Sequence, residues 1–196
     1  MTYDKEDLVT ILTNAGWHKG RNIGSKLKNT ILYKMFPKKV QDFLCEFGDL
    51  KIHGDTKIQT ITISTNHFNN KEVFDYHNDN AYKLNDKIDL TDDRNENYYY
   101  SVLIGLQLYP IAKLIEQSTL LMDENGNFYI INFIPELIWI SNDTFEALSK
   151  ITFGSMDVAI FNEHKMQWMV PAESNFLYTL PINSIFLFYI SYVLQH

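Results

Sequence analysis

The sequence predicts an α+β fold, with N-terminal helices and a C-terminal helix packed on a central, mostly antiparallel sheet. Three observations predict it. Apolar residues recur at helical spacing up to Gly48, and from Lys51 the period changes to two. Asn125-Gly126 sits between two apolar runs, the signature of a tight hairpin. A last helical pattern follows and closes at Gly154. Helices, then strands, then a helix argue for segregated layers, not for alternating βαβ units. No segment repeats at a fixed period.

The elements follow in order. Residues 4–14 read as a helix with Leu8, Ile11 and Leu12 on one face and Thr2 or Asp4 as its cap. At the corner that follows, Gly16 can take a left-handed conformation, Trp17 needs a place in the core, and Gly20 precedes Arg21. Residues 25–35 read as one helical segment, with Leu27, Ile31, Leu32 and Met35 on its stripe and Ser25 as its cap. Pro37 suits the first position of the next helix, in which Val40, Phe43, Leu44 and Phe47 are amphipathic. Gly48 ends that helix, and Leu50 re-enters the core.

Residues 51–53 and 57–64 are strand candidates. Residues 66–97 show no clean period and read as loop with short strand pieces. Residues 98–105 read as a short helix carrying three consecutive tyrosines. Residues 106–110 and 111–115 are two short strand candidates, with Pro110 at a bulge or a strand edge. Residues 118–122 and 127–133 flank the turn from Asp123 to Gly126, and residues 137–140 extend the sheet. Ser141 or Asn142 can cap the helix over 143–150.

The chain of 196 residues is long enough for one good core, and it divides into a domain over 1–154 and a hydrophobic C-terminal extension over 155–196. No charged residue occurs from Ser174 to Gln195, and residues 185–194 are the most hydrophobic run. That run is about half of what a helix needs to span a bilayer, so no transmembrane segment is expected. Three readings stay open for it: a segment docked on the domain, one lying at a membrane interface, or an unordered extension.

Net charge is −7. That balance disfavours direct nucleic-acid binding, which needs lysine and arginine for phosphates, and suits a basic protein partner. The one cysteine, Cys45, excludes an intrachain disulfide and reads as a structural thiol. The polar, acidic start of the chain is unlike a secretion signal, and a cytoplasmic location is expected.

No catalytic constellation stands out. The sequence lacks a nucleophile elbow, a P-loop, a dinucleotide fingerprint and a zinc-protease helix motif. His67 with Asp75, His77 and Asp79 is the best metal-like grouping, but its spacing matches no defined site. No metal, no cofactor and no catalytic residue are expected. Asp123 and Glu124 are better explained by a hairpin turn than by acid–base work. Arg21 beside a core tryptophan is read as a structural partner in preference to an anion site.

Taken together, several segments resemble the SUKH superfamily, and specifically its third immunity-protein family. Residues 12–17 with Gly20-Arg21 resemble its opening signature, and residues 43–50 resemble the helix that ends in a Gly-Gly-Leu turn. Gly105 with residues 108–112 resembles the central Pro-Ile-Gly segment. Residues 121–129 resemble the family hairpin, and residues 144–154 the closing helix. The resemblance covers roughly residues 5 to 154. Asp49 stands where the family has the second glycine of the turn, and Ala112 where it has the glycine after Pro-Ile; both fit if the backbone there keeps φ negative.

The resemblance implies helices on a central sheet and a non-catalytic immunity protein of a bacterial polymorphic toxin system. Such proteins bind a cognate toxin, often a nuclease, and block it. It also implies that Gly16, Trp17, Gly20, Arg21, Gly48, Leu50, Pro110, Asp123 and Gly126 are fold determinants. The alternative is a non-catalytic regulatory or cell-wall-related scaffold of the same fold. The expected partner-binding face is the acidic stretch of Asp86, Asp89, Asp92, Asp93 and Glu96 with Tyr98, Tyr99 and Tyr100. Tyrosine supplies contact area at low entropic cost, and carboxylates steer a cationic partner.

Overall fold

The computed structural model describes residues 5–54, 56, 59–69, 96–115, 118–134, 136–154, 157–170 and 178–184. Helices α1 (Lys5–Asn14), α2 (Gly24–Leu27), α3 (Ile31–Met35) and α4 (Lys38–Phe47) open the chain, followed by strands β1 (Lys51–Ile52) and β2 (Ile61–Thr62). Next come α5 (Glu96–Ile104), β3 (Tyr109–Leu114), β4 (Thr119–Met122), β5 (Phe128–Ile131) and β6 (Leu137–Ser141). Helix α6 (Thr144–Phe153) precedes β7 (Ala159–Asn162) and β8 (Gln167–Met169). The strands form one sheet in the order β1-β2-β3-β4-β5-β6-β7-β8, each antiparallel to its neighbour. The molecule is thus α+β with an antiparallel sheet, as the sequence predicts.

Period-two alternation divides the strand residues between two cores. Leu120, Met122 and Phe128 pack with the apolar stripes of α1, α4 and α6. Leu121, Tyr129, Leu137 and Trp139 face the other way, where α5 covers them. Helix α5 is buried nearly all round: Tyr98, Tyr100, Ser101, Val102, Leu103 and Ile104 are all buried. A helix that is apolar on every side must be covered on every side. Its outer cover includes Leu180 and Ile182. Asn183 fixes that segment by donating its backbone N–H to Leu103 O at 3.0 Å and its Nδ2 to Val102 O at 2.8 Å.

Several expected boundaries shift, each for a local reason. The helix over 25–35 is two helices. Thr30 donates both its N–H and its hydroxyl to Leu27 O, and this local bond competes with the helical ladder. Ser25 caps neither piece; Asn22 Oδ1 accepts the Gly24 N–H instead. Pro37 is the N-cap of α4 and not its first helical residue. The two strand candidates over 106–115 are one strand, β3, with a register shift between Pro110 and Ala112, so the bulge at Pro110 is observed. The cap of α6 is Asp143, whose side chain accepts the Glu146 N–H at 2.9 Å; Ser141 instead receives the Asp143 N–H. Gly154 ends α6 at φ 71°.

The sheet does not stop at Gly154. Ile160 and Ala159 pair with Ile138 and Trp139, and β8 pairs on β7. Trp168 donates its indole N–H to Pro181 O at 2.8 Å, and Tyr178 lies 4.8 Å from the Trp139 ring. The apolar run over 185–194 lies outside the described residues, as do Thr2, Asp4, Asp75, His77 and Asp79.

Candidate partner-binding site

Trp17 stacks on Phe47 with ring centroids 6.4 Å apart, meets Phe145 edge-on at 5.8 Å, and donates Nε1 to Glu46 Oε1 at 3.0 Å. Arg21 donates Nη1 to Glu46 O at 2.5 Å and Nη2 to Gly48 O at 2.7 Å. Its planar fork therefore closes the carbonyl end of α4, where unpaired acceptors and the helix dipole favour a cation. Gly16 and Gly20 have φ of 97° and 80° and turn the chain into this corner. Leu50 is buried beside Gly16.

The turn after α4 departs from expectation. Gly48 has φ −54°, while Asp49 has φ 61°. The left-handed residue is thus Asp49, whose φ was expected to be negative. Its carboxylate accepts Thr65 N–H at 3.0 Å and the Thr65 hydroxyl at 2.6 Å, and pairs with Lys26. Aspartate tolerates this region better than most residues with a Cβ. Burial raises the Asp49 carboxyl, but the bonds from Lys26 and Thr65 outweigh it and hold it below its ordinary value. Gly48 is needed for another reason: a Cβ there would collide with Leu44 O and come within 2.9 Å of Ile23 Cδ1. Ala112 is absent from the positive-φ residues and so meets the expectation.

The hairpin turn is held from inside. Asp123 is fully buried and accepts Asn125 N–H at 2.9 Å, Asn127 N–H at 2.9 Å, Asn127 Nδ2 at 2.7 Å and the Tyr129 hydroxyl at 2.9 Å. Four donors around one carboxylate compensate its burial without a cation. Gly126 completes the turn at φ 91°.

Of the expected partner-binding residues, Asp86, Asp89, Asp92 and Asp93 lie outside the described residues. Glu96 is exposed at the start of α5. Tyr98 and Tyr100 are buried, Tyr100 at 1% exposure, so these two rings serve the core and not an open surface. Tyr99 is half-buried. Tyr99 and Tyr100 each donate a hydroxyl to Glu163, at 2.8 Å. Burial first, then the Glu163 carboxylate, pushes Tyr99 up to about 12 and raises Tyr100 as well, so both hydroxyls remain donors at neutral pH.

Glu163 is the residue that sequence reasoning missed. It lies in the β7–β8 turn, in a polar stretch from Asn162 to Lys165 between two short apolar runs. That pattern is a hairpin signal, but it lies beyond Gly154, where the sequence places the end of the domain. Glu163 forms one wall of an open groove of ≈ 790 Å³ between this turn and the β5–β6 connection. Among the described residues, the lining carries the carboxylates Glu136 and Glu163, with His164, and no lysine or arginine.

Among the described residues, no helix is long and apolar enough to cross a membrane. No curated protein and no solved structure compared with the chain matches it. The family model described as SUKH-3 immunity protein matches residues 5–154, from α1 through α6, so that β7, β8 and the segment around Asn183 lie beyond it. This match spans well over half of the chain and contains the Trp17–Arg21 corner, the Asp123 hairpin and the capped α6 just described. The chain belongs to the SUKH-3 immunity protein family.

Proposed function

We propose that this chain neutralises a cognate toxin of a bacterial polymorphic toxin system by binding it directly in the cytoplasm, without catalysis. Family membership over residues 5–154 carries the reading. The net charge of −7 supports a basic toxin, of which a nuclease is an example, because nucleases bind phosphates through lysine and arginine. The carboxylates Asp86, Asp89, Asp92, Asp93 and Glu96 add to the field that draws such a partner in. Inhibition then follows from occupying the toxin's cationic surface, and no bond in a substrate changes.

Co-expression with the toxin encoded beside it tests the reading. Growth is expected to be restored, and the two chains are expected to purify together. No rescue and no complex would overturn it. Recovery of a housekeeping regulatory or cell-wall protein in place of the toxin would favour a scaffold of the same fold.

A further inference from the structure

We propose that the toxin is held in the groove between the β5–β6 connection and the β7–β8 turn, and that the occupant is a lysine- or arginine-bearing segment with an apolar anchor beside its charge. This rests on the immunity reading and adds to it the face and the chemistry of the bound segment.

Two independent observations place the occupant. The first is apolar exposure. Phe133 and Ile134 are 66% and 78% exposed, the two most exposed large apolar side chains among the described residues. They are consecutive in the β5–β6 connection and line the groove. Among the described residues, most other aromatic rings pack in or against the two cores, so an adjacent Phe-Ile pair left in water marks a contact surface. The second is charge. Among the described residues, the groove walls present Glu136 and Glu163 and no lysine or arginine, and Lys165 lies outside the lining. An anionic cleft with an apolar lip fits a segment that brings a cation to the carboxylates and an aliphatic or aromatic side chain to Phe133 and Ile134.

The cleft is also built in advance. The two tyrosine hydroxyls on Glu163 hold one carboxylate oxygen each, so its side chain is fixed in place. The Asn132 N–H donates to Glu136 O at 3.3 Å and holds the second wall. Because the Glu163 carboxylate is already fixed, less side-chain freedom is lost when a partner binds it. Since the β7–β8 turn supplies Glu163, the groove draws on residues beyond 154, outside the family match.

The test uses the full chain and the purified, catalytically inactivated toxin encoded beside it. The double variant Phe133→Ser/Ile134→Ser and the single variant Glu136→Lys are compared with wild type and with Asp42→Lys on the solvent side of α4. Phe133 and Ile134 are surface residues, and an unchanged thermal midpoint verifies that their variant folds. Each groove variant is expected to weaken binding by at least about tenfold and to lower growth rescue, with Asp42→Lys unchanged. The Glu136→Lys loss should be accompanied by a flatter dependence of affinity on salt. If wild type binds and rescues while both groove variants equal it, the groove is not the interface and the immunity reading survives. If wild type itself neither binds nor rescues, the immunity reading falls and the groove assignment falls with it.

Discussion

Asp49 shows what a single residue can absorb. A residue with a Cβ in the left-handed region costs roughly 1–2 kcal/mol, and an aspartate that bonds locally costs less. Here the carboxylate recovers part of that cost through Thr65. Asp49→Ala is therefore expected to destabilise more than Asp49→Gly, because glycine loses the bonds but not the conformational fit. The difference should be about 1 kcal/mol in urea unfolding, and equal losses would contradict the assignment. The carboxyl titrates below its ordinary value when folded. Its contribution is therefore complete above the unfolded pKa of about 3.9 and disappears as pH falls through that value and then through the lower folded one. Asp49→Asn should flatten the loss of stability below about pH 4, and only modestly, since the Lys26 side chain is 58% exposed. The corner around Trp17 and Arg21 was legible because glycine, tryptophan and arginine leave few structural options there. The sign of φ at Asp49 was not, because its stabilising partner Thr65 lies 16 residues away.

At the level of the element, α6 was the most legible helix and its start the least. Phe145, Leu148 and Ile151 give its period and Gly154 its end, but Ser141, Asn142 and Asp143 are all able caps by composition. Geometry selects Asp143, since its side chain accepts the Glu146 N–H, while Ser141 bonds the Glu146 carboxylate at 2.8 Å. Asp143→Ala should cost about 1 kcal/mol. Gly154→Ala should cost more, because φ is 71° and the added Cβ would run into the Gln59 amide. Thermal denaturation of the two variants checks the order, and a larger loss for Asp143→Ala would be inconsistent with it. Helix α5 presents the opposite case. Its three tyrosines read as surface contacts because the acidic run precedes them and no periodicity assigned them an inner face. Tyr98 and Tyr100 are buried and Tyr99 is half-buried, because residues far along the chain cover the helix, with Glu163 receiving two hydroxyls and Asn183 bonding Val102 and Leu103.

Across the whole molecule, the family match and the sheet end in different places. Ala159 and Phe161 belong to the second core, and Trp168, Leu180 and Ile182 pack against it. From the sequence alone, a chain cut after Gly154 is expected to fold as a domain. The structure predicts otherwise: the cut uncovers Trp139 and Tyr129, both fully buried in the intact chain. The truncated chain should bind a hydrophobic dye and lose its single sharp unfolding transition. An intact chain and a truncated one with the same midpoint and sharpness would refute this. Long-range charge acts at the same scale. Reversing Asp92 and Asp93 to lysine should slow association with the toxin more than it speeds dissociation, and an unchanged on-rate at low salt would count against the steering role.

The meander has a consequence for how the protein matures. Each strand pairs with the one that precedes it in chain order, and from β3 to β6 the partners are joined by short connections, while β2 must wait for β3 beyond α5. Pairing from β3 to β6 can therefore advance behind the ribosome, one hairpin after another. The face that carries α5 stays wet until β7, β8 and the residues around Asn183 have emerged. A chain stalled before β7 would thus display the Trp139 side of its sheet, a ready signal for chaperones and proteases, and one extended through Asn183 would hide it.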